Sequence, residues 1–211
     1  MFTTMDARSR RRYVQRRRAE RTDETRARIL EAVITLHEEL GPGRTTITAI
    51  AERAGVQRLT VYRHFPDEER LYLACTSRWF ADHPLPDPAL WTPVADPAAA
   101  TRIALRHLFA YHRATSRMWS AYCRDVEQLP ALQPHLSRHE KALDSVTQGL
   151  ARVWGGSDAL EVRALIRHAL RFTTWRSLAD EGLDDEQMAA LFVDWLTAEA
   201  EARAARRSGA V

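Results

Sequence analysis

The sequence predicts an all-α protein. Apolar residues recur at intervals of three and four along most of the chain, which is the period of one helix face, and no segment alternates as a half-buried strand does. Gly-Pro-Gly at 41–43, five prolines between 84 and 97 and Gly-Gly at 155–156 separate these segments. With 211 residues, 45% of them hydrophobic, the chain suits one domain or a small domain joined to a larger one.

The first 21 residues are rich in arginine and poor in apolar side chains. Such a segment buries too little surface to offset its ordering entropy, so we expect a basic flexible arm over 1–21. Two interpretations stay open for it. In one, the arm lies along DNA phosphates or in the minor groove. In the other, it is a solvated tail. Its arginines are Arg8, Arg10, Arg11, Arg12, Arg16, Arg17, Arg18 and Arg21.

A first helix is expected from Thr22 to about Leu40. The Thr22 hydroxyl can cap it, and two acidic residues follow in the first turn, where the helix dipole favours them. Gly41 ends it. Its apolar stripe is Ile29, Leu30, Val33, Leu36 and Leu40.

Two short helices around a tight turn are predicted next, over Thr46–Phe65. Thr46 is placed to cap the first of them, and Gly55 suits a left-handed turn position between the two. Val56 and Val61 give the second helix a core side. The residues on its other side are almost all hydrogen-bond donors: Gln57, Arg58, Thr60, Tyr62, Arg63 and His64. A short helix with such a face is what reading a major groove requires.

The charge distribution also favours a polyanion at this end of the chain. Residues 1–66 hold 14 arginines and eight acidic residues, a net charge of +6, whereas the rest of the chain carries −3. The N-terminal third is therefore where DNA would dock.

The stretch T-I-T-A-I-A-x-x-A-G-V-x-x-x-T-V-Y-R-H-F-P resembles the helix-turn-helix of the tetracycline repressor (TetR) family of transcription regulators. The resemblance covers roughly Thr22–Leu73. It implies a three-helix helix-turn-helix DNA-binding domain at 22–66. A helical ligand-binding and dimerisation domain would follow at 67–211, opening with a linker helix at 67–82.

The resemblance also implies roles for single residues. By position in the family's motif, Gln57 and Arg58 reach bases, and Thr46, Tyr62 and His64 hold phosphates. The candidate DNA-binding residues are Arg44, Thr46, Thr48, Gln57, Arg58, Leu59, Thr60, Tyr62, Arg63 and His64. Two features depart from the family's pattern. Asp67-Glu68-Glu69 stands where a lysine is usual, and Leu59 stands where a small residue is common.

Six further helices are expected after the motif. Asp67 caps the first, and Asp96-Pro97 opens the second after the proline-rich segment. The predicted ranges are Asp67 to about Ala81, Asp96–Thr115, Ser116–Leu129, Pro134–Trp154, Ser157–Ala179 and Asp184 to about Arg203.

Two candidate surfaces are assigned to this larger part. Aromatic residues between the linker helix and the last helices could line an apolar effector pocket with a few polar anchors: Trp79, His107, Phe109, Tyr111, Trp119, Tyr122 and Trp175. In TetR-like proteins the last two helices pair with their copies in a dimer. The residues expected there are Leu165, Ile166, Phe172, Met188, Phe192 and Trp195.

No catalytic motif, metal-binding motif or cofactor-binding motif is present in the sequence. His135 and His139 share a helix face, but no third ligand completes a site, so we expect two exposed histidines. Cys123 is a redox sensor or, more simply, a structural cysteine. There is no apolar run long enough for a membrane span and no secretory leader, which predicts a cytoplasmic protein.

The function predicted is therefore a dimeric, DNA-binding transcriptional regulator, a repressor released from a pseudo-palindromic operator by an unidentified small-molecule effector. Two alternatives stay open. One is a ligand-independent helix-turn-helix protein whose C-terminal part serves dimerisation or a protein partner. The other is an enzyme with a borrowed fold.

Overall fold

The structure, a computed structural model, describes residues 7–126, 136–155 and 159–208. Within these ranges the regular elements are ten α-helices and two short 3-10 turns, with no strand, which confirms the all-α prediction. The helices are α1 (Ala7–Leu40), α2 (Ile47–Ala54), α3 (Arg58–His64), α4 (Glu68–Asp82), α5 (Pro97–Ala114), α6 (Ser116–Asp125), α7 (Ser137–Val153), α8 (Leu160–Ala169), α9 (Phe172–Asp180) and α10 (Asp185–Ser208). None of these described helices is long and apolar enough to cross a bilayer.

The described residues divide into two compact units. Unit 1 holds 7–82 and 120–126, and unit 2 holds 83–119, 136–155 and 159–208. The sequence-based boundary at 66/67 differs from this division, because α4 packs on α1 and belongs to the same unit as the helix-turn-helix.

The core of unit 1 lies where α1 crosses α2 and α4. The predicted stripe of α1 is buried there from Ile29 to Leu36, and Leu40 is half-buried. The neighbouring helices add apolar side chains that are also buried: Ile50, Ala51, Ala54, Val61, Phe65, Leu71 and Cys75.

The first helix begins 15 residues earlier than expected, which corrects the prediction of a flexible arm for the described residues 7–21. Arginine is a good helix former, no glycine or proline interrupts 7–40, and Arg16 pairs with Glu20 one turn later (3.3 Å). Thr22 is not a cap. Its hydroxyl donates to the carbonyl of Arg18 (2.8 Å), as a threonine inside a helix does.

Unit 2 is built around α5, which packs on α10 and α7, while α8 packs on both α7 and α10. Asp96 caps α5 by accepting from Ala99 N–H (2.8 Å). Asp184 and Gln187 form a reciprocal cap at the start of α10, at 2.8 and 2.9 Å. The largest fully buried side chains include Leu105, Phe109, Leu150, Ile166, Met188 and Phe192.

One predicted helix, Ser157–Ala179, is two helices in the structure. The helix is interrupted at Leu170 and Arg171, although the sequence has no glycine or proline there. The break leaves the carbonyl of Leu170 facing the buried ring of His112, whose Nε2 donates to it (3.1 Å). A long-range hydrogen bond of this kind leaves no local signal in the sequence.

Candidate nucleic-acid interface

The helix-turn-helix forms as its local sequence predicts. Thr46 caps α2, its hydroxyl oxygen accepting from Ala49 N–H (3.2 Å). Gly55 adopts the left-handed conformation (φ 64°, ψ 42°) in the turn between α2 and α3. The cap uses a lone pair of Thr46 and leaves its O–H as a donor, which is what a phosphate contact needs.

The recognition helix α3 has one buried side and one open side. Val61 is completely buried, whereas Leu59 is 67% exposed and Tyr62 is 43% exposed. Gln57 and Arg58 are exposed as well, and within the described residues their side chains make no hydrogen bond or ion pair. The donors on this face are therefore available to a ligand outside the chain.

The other candidate DNA-binding residues lie on or beside this face. Arg44 and Thr48 are exposed, and Arg44 Nε donates to the Leu40 carbonyl (3.0 Å). Thr60 and His64 are half-buried. The pKa of His64 is lowered by burial and by the charges of Arg26 and Arg63. The lowered pKa favours the neutral imidazole, which can still offer an N–H donor to a phosphate.

Contacts from α1 fix the position of α2 and α3. The guanidinium of Arg53 donates twice to the carboxylate of Glu39 (3.1 and 2.7 Å). Arg26 lies over the ring of Phe65, 5.0 Å from its centroid. These contacts join the helix-turn-helix to α1.

A clamp of two side chains holds the turn before α2, and no sequence pattern indicates it. Gly43 N–H donates to Asp125 Oδ2 (2.9 Å), and Arg124 donates to Leu40 O (2.9 Å) and to Asp125 Oδ1 (2.9 Å). Burial alone would raise the pKa of Asp125. The hydrogen bonds from Arg124 and Gly43 outweigh burial and lower it. We call Arg124 and Asp125 the turn clamp.

The seven residues predicted to line an effector pocket are divided between the two units. Trp79 and Tyr122 belong to unit 1, and the other five belong to unit 2. His107 is exposed, and Phe109 is fully buried.

Three of the seven, Tyr111, Trp119 and Trp175, lie in one aromatic cluster of unit 2. The prediction missed the other members of this cluster: His112, His139 and Phe172. Ring centroids within it are 4.7 Å apart for Trp119 and His139 and 5.7 Å apart for His112 and Phe172.

The two histidines of the aromatic cluster are neutral. Burial lowers the pKa of both His112 and His139 to about 4. This corrects the expectation that His139 is exposed, while His135 lies outside the described residues. Burial likewise raises the pKa of Tyr111 to about 12. The cluster therefore carries hydrogen-bonding atoms but no charge at neutral pH.

A groove of about 800 Å³ opens elsewhere in unit 2, between the segment after Leu85 and one side of α7. None of the seven predicted pocket residues lines it. Its walls are mainly apolar, with polar groups at a few positions. The lining comprises Leu85, Pro86, Asp87, Pro88, Trp91, Thr92, Ala100, Ala142, Ser145, Val146, Gly149, Leu150, Arg152 and Val153. We call it the α7 groove.

The structure corrects the set expected at a dimer interface. Ile166, Phe172, Met188 and Phe192 are buried within the single chain, because α8, α9 and α10 use them to build the core of unit 2. Leu165 is half-buried and Trp195 is 46% exposed, so these two remain accessible to a second copy.

The other functional groups considered in the sequence are the possible metal ligands and the two cysteines. Among the described residues, no three His, Cys, Asp or Glu side chains come together as metal ligands. Cys75 is buried beside His37, and burial raises its pKa to about 12. Cys123 is half-buried, and neither cysteine is in a disulfide.

A capped α2, a left-handed glycine turn and a donor-rich α3 on a fixed support define a helix-turn-helix protein. Residues 29–75 match the family described as bacterial regulatory proteins, tetR family. The regulator TtgR of Pseudomonas putida is 44% identical over 59 residues, which are 28% of this chain and 28% of that protein.

Solved structures share the fold over most of the chain. A TetR-like regulator from Rhodococcus sp. RHA1 is 19% identical, with 82% of this chain and 93% of that chain covered at a TM-score of 0.56. The TetR-family regulator PfmR from Thermus thermophilus is 16% identical, with 80% and 96% covered at 0.56. The match to the tetR family therefore covers residues 29–75, and the chain as a whole shares its fold with TetR-like regulators.

Proposed function

We propose that this protein is a sequence-specific DNA-binding transcriptional regulator, a repressor that binds a pseudo-palindromic operator as a homodimer and is released by a small-molecule effector. The open face of α3 carries the proposal. Its donors have no hydrogen-bond partners within the described chain, and Val61 anchors the helix from beneath. Arg58 is suited to a bidentate contact with guanine, which is worth roughly 1–3 kcal/mol of discrimination against the wrong base.

Symmetry supports the dimer. Two copies related by a twofold axis present two α3 helices, and a pair spaced about 34–36 Å apart reads successive major grooves of one DNA face. Leu165 and Trp195 are accessible apolar side chains of unit 2 that a second copy could cover. Sedimentation at micromolar concentration tests this. A species of twice the 24.1 kDa chain mass supports the dimer, and a monomer rules it out.

The α7 groove supports release by a small molecule. Its size is that of a typical ligand site, and its mainly apolar wall carries a few polar groups that would orient a ligand. Binding there would favour a form of the dimer in which the two α3 helices no longer match the operator. A coupling of about 1–3 kcal/mol would weaken operator binding roughly 5–150-fold.

Two substitutions at one position test the groove. Gly149 lines it, and a Cβ built on Gly149 meets no atom within 4 Å, so a larger side chain enters open space. We expect Gly149→Trp to bind the operator normally and to resist compounds that release the wild type. Gly149→Ala is the matched control and should remain releasable. Equal release of both variants would place the effector elsewhere.

Failure of every compound in a broad screen to release the wild type would instead favour the ligand-independent regulator. The DNA-binding part of the proposal is tested separately, by selecting genomic fragments with purified protein. Enrichment of one pseudo-palindrome supports it, and binding without sequence preference contradicts it.

A further inference from the structure

The Arg-rich start of α1 and the recognition helix α3 share a groove in unit 1. Side chains of both helices line this space of about 590 Å³. From α1 come Tyr13, Val14, Arg17, Arg18, Arg21, Thr22 and Thr25, and from α3 come Thr60, Arg63 and His64. We call it the arginine groove.

The arginine groove is strongly cationic. Its lining includes four arginines and no carboxylate. The guanidinium groups of Arg17, Arg18 and Arg21 have no acidic partner within the described residues, since the one ion pair of this part of α1 joins Arg16 to Glu20. A cluster of unpaired guanidinium groups favours a polyanion, and hydroxyl donors at Thr60 and Tyr13 suit the same ligand.

The position of the groove indicates which polyanion it binds. Arg63 and His64 belong to the helix proposed to enter the major groove, so the lining of the arginine groove includes part of the reading surface. The first 15 residues of α1 extend about 22 Å along the helix axis, enough to pass several phosphates of one DNA strand. The guanidinium of Arg17 also lies 5.7 Å from the ring centroid of Tyr13, a distance at which a cation and an aromatic ring attract each other.

We propose that the arginine groove binds the DNA phosphodiester backbone beside the sequence read by α3, through Arg17, Arg18 and Arg21. This inference rests on the proposed DNA-binding function. It assigns to the basic start of α1 a helical phosphate contact that sets affinity and salt dependence without reading bases.

A matched pair of double variants tests the phosphate contact proposed for the arginine groove. Arg17 and Arg21 are four residues apart and face the groove, whereas Arg12 and Arg16 are four residues apart on the opposite face of the same helix. Arg17→Gln with Arg21→Gln, and Arg12→Gln with Arg16→Gln, remove the same charge from exposed positions. Circular dichroism confirms that the helix survives in both.

The measurement is the slope of log K against log salt concentration, for operator DNA and for a scrambled duplex. Each lost phosphate contact reduces the slope by roughly 0.9, so the groove variant should lose about 1–2 units on both duplexes while the opposite-face variant keeps the wild-type slope. The operator preference over the scrambled duplex should stay unchanged. Ethylation of the phosphates beside the α3 site should weaken binding of the wild type and of the opposite-face variant, but not of the groove variant.

An unchanged slope in the groove variant overturns the inference, and so does an equal loss in the two variants, which would indicate only the diffuse field of a basic helix. The proposed function has a separate readout. If the wild type itself showed no preference for operator over scrambled DNA, specific recognition by α3 would be refuted. The slopes could still support phosphate binding by the arginine groove.

Discussion

Replacing Gly41 with alanine probes the turn clamp at its tightest point. Gly41 has φ 90° and ψ 157°, a backbone region that is essentially restricted to glycine, and occupying it with another residue costs roughly 1–3 kcal/mol. A Cβ there would lie 2.1 Å from Arg124 Nη2 and 2.3 Å from Asp125 Oδ2. Both atoms end side chains that can move, but moving them breaks the hydrogen bonds to Leu40 and Gly43.

Losing the hydrogen bonds of the turn clamp lowers the free energy of unfolding further. Hydrogen bonds to charged groups are worth about 1.5–3 kcal/mol when buried. The Arg124 side chain is 54% exposed, so a combined loss of roughly 1–2 kcal/mol is the reasonable expectation. The total for Gly41→Ala is therefore roughly 2–5 kcal/mol.

Urea unfolding followed by circular dichroism measures this change, with Gly55→Ala as the control. Gly55 lies in the same unit with φ 64°, but a Cβ there meets no atom within 4 Å, so only backbone strain of about 1–2 kcal/mol applies. When Arg124 and Asp125 are both changed to alanine, Gly41→Ala should lower the free energy of unfolding only by the backbone strain at position 41. If it cost the same with and without the clamp residues, the clamp would not constrain the turn.

Three further outcomes follow from buried groups and from the open face of α3. The neutral forms of His37, His112 and His139, whose pKa values are all about 4, stabilise the fold at neutral pH, and this contribution is lost as pH falls from 6.5 towards 4. Acid titration should show a loss on the order of 1–3 kcal/mol per histidine, whereas a flat profile over that window contradicts their burial. Cys75 should react with maleimide only after unfolding, because it is buried with a pKa of about 12; fast labelling of the native protein argues against that. Tyr62→Phe should weaken operator and scrambled duplexes by the same factor, since a phosphate contact carries no base information; a selective loss on operator DNA assigns Tyr62 to a base.

Local signals make the helix-turn-helix predictable. Thr46 and Gly55 act within four residues of their own positions, through a cap and a backbone conformation, so their roles can be read without knowing the rest of the fold. The cap of α4 by Asp67, which accepts from Arg70 N–H (2.7 Å), is predictable for the same reason.

Features that depend on distant residues are not predictable in this way. The turn clamp joins Gly43 to Asp125, 82 residues later, and the break between α8 and α9 faces a histidine 58 residues earlier. The face of Met188 and Phe192 has the same helical spacing whether it meets the chain's own core or a second copy. A periodic apolar face predicts burial, and only the packed structure shows what covers it.

The aromatic pocket illustrates the same limit. Trp79 and Trp119 are both aromatic and both precede the last helices, which is the basis for grouping them, yet the structure assigns them to different units. Aromatic content predicts a buried cluster, and such a cluster exists around His112 and His139. The α7 groove has no distinctive sequence pattern, because its lining is largely small and aliphatic.

Selection of genomic DNA fragments by the wild type, by Arg58→Ala and by Arg12→Ala tests the central claim most directly. The wild type and Arg12→Ala should enrich the same pseudo-palindrome, because Arg12 lies on α1 away from the reading face. Arg58→Ala should lose roughly 1–3 kcal/mol and relax the preference at one base pair in each half-site. Enrichment of an unchanged sequence by Arg58→Ala would contradict DNA reading by α3.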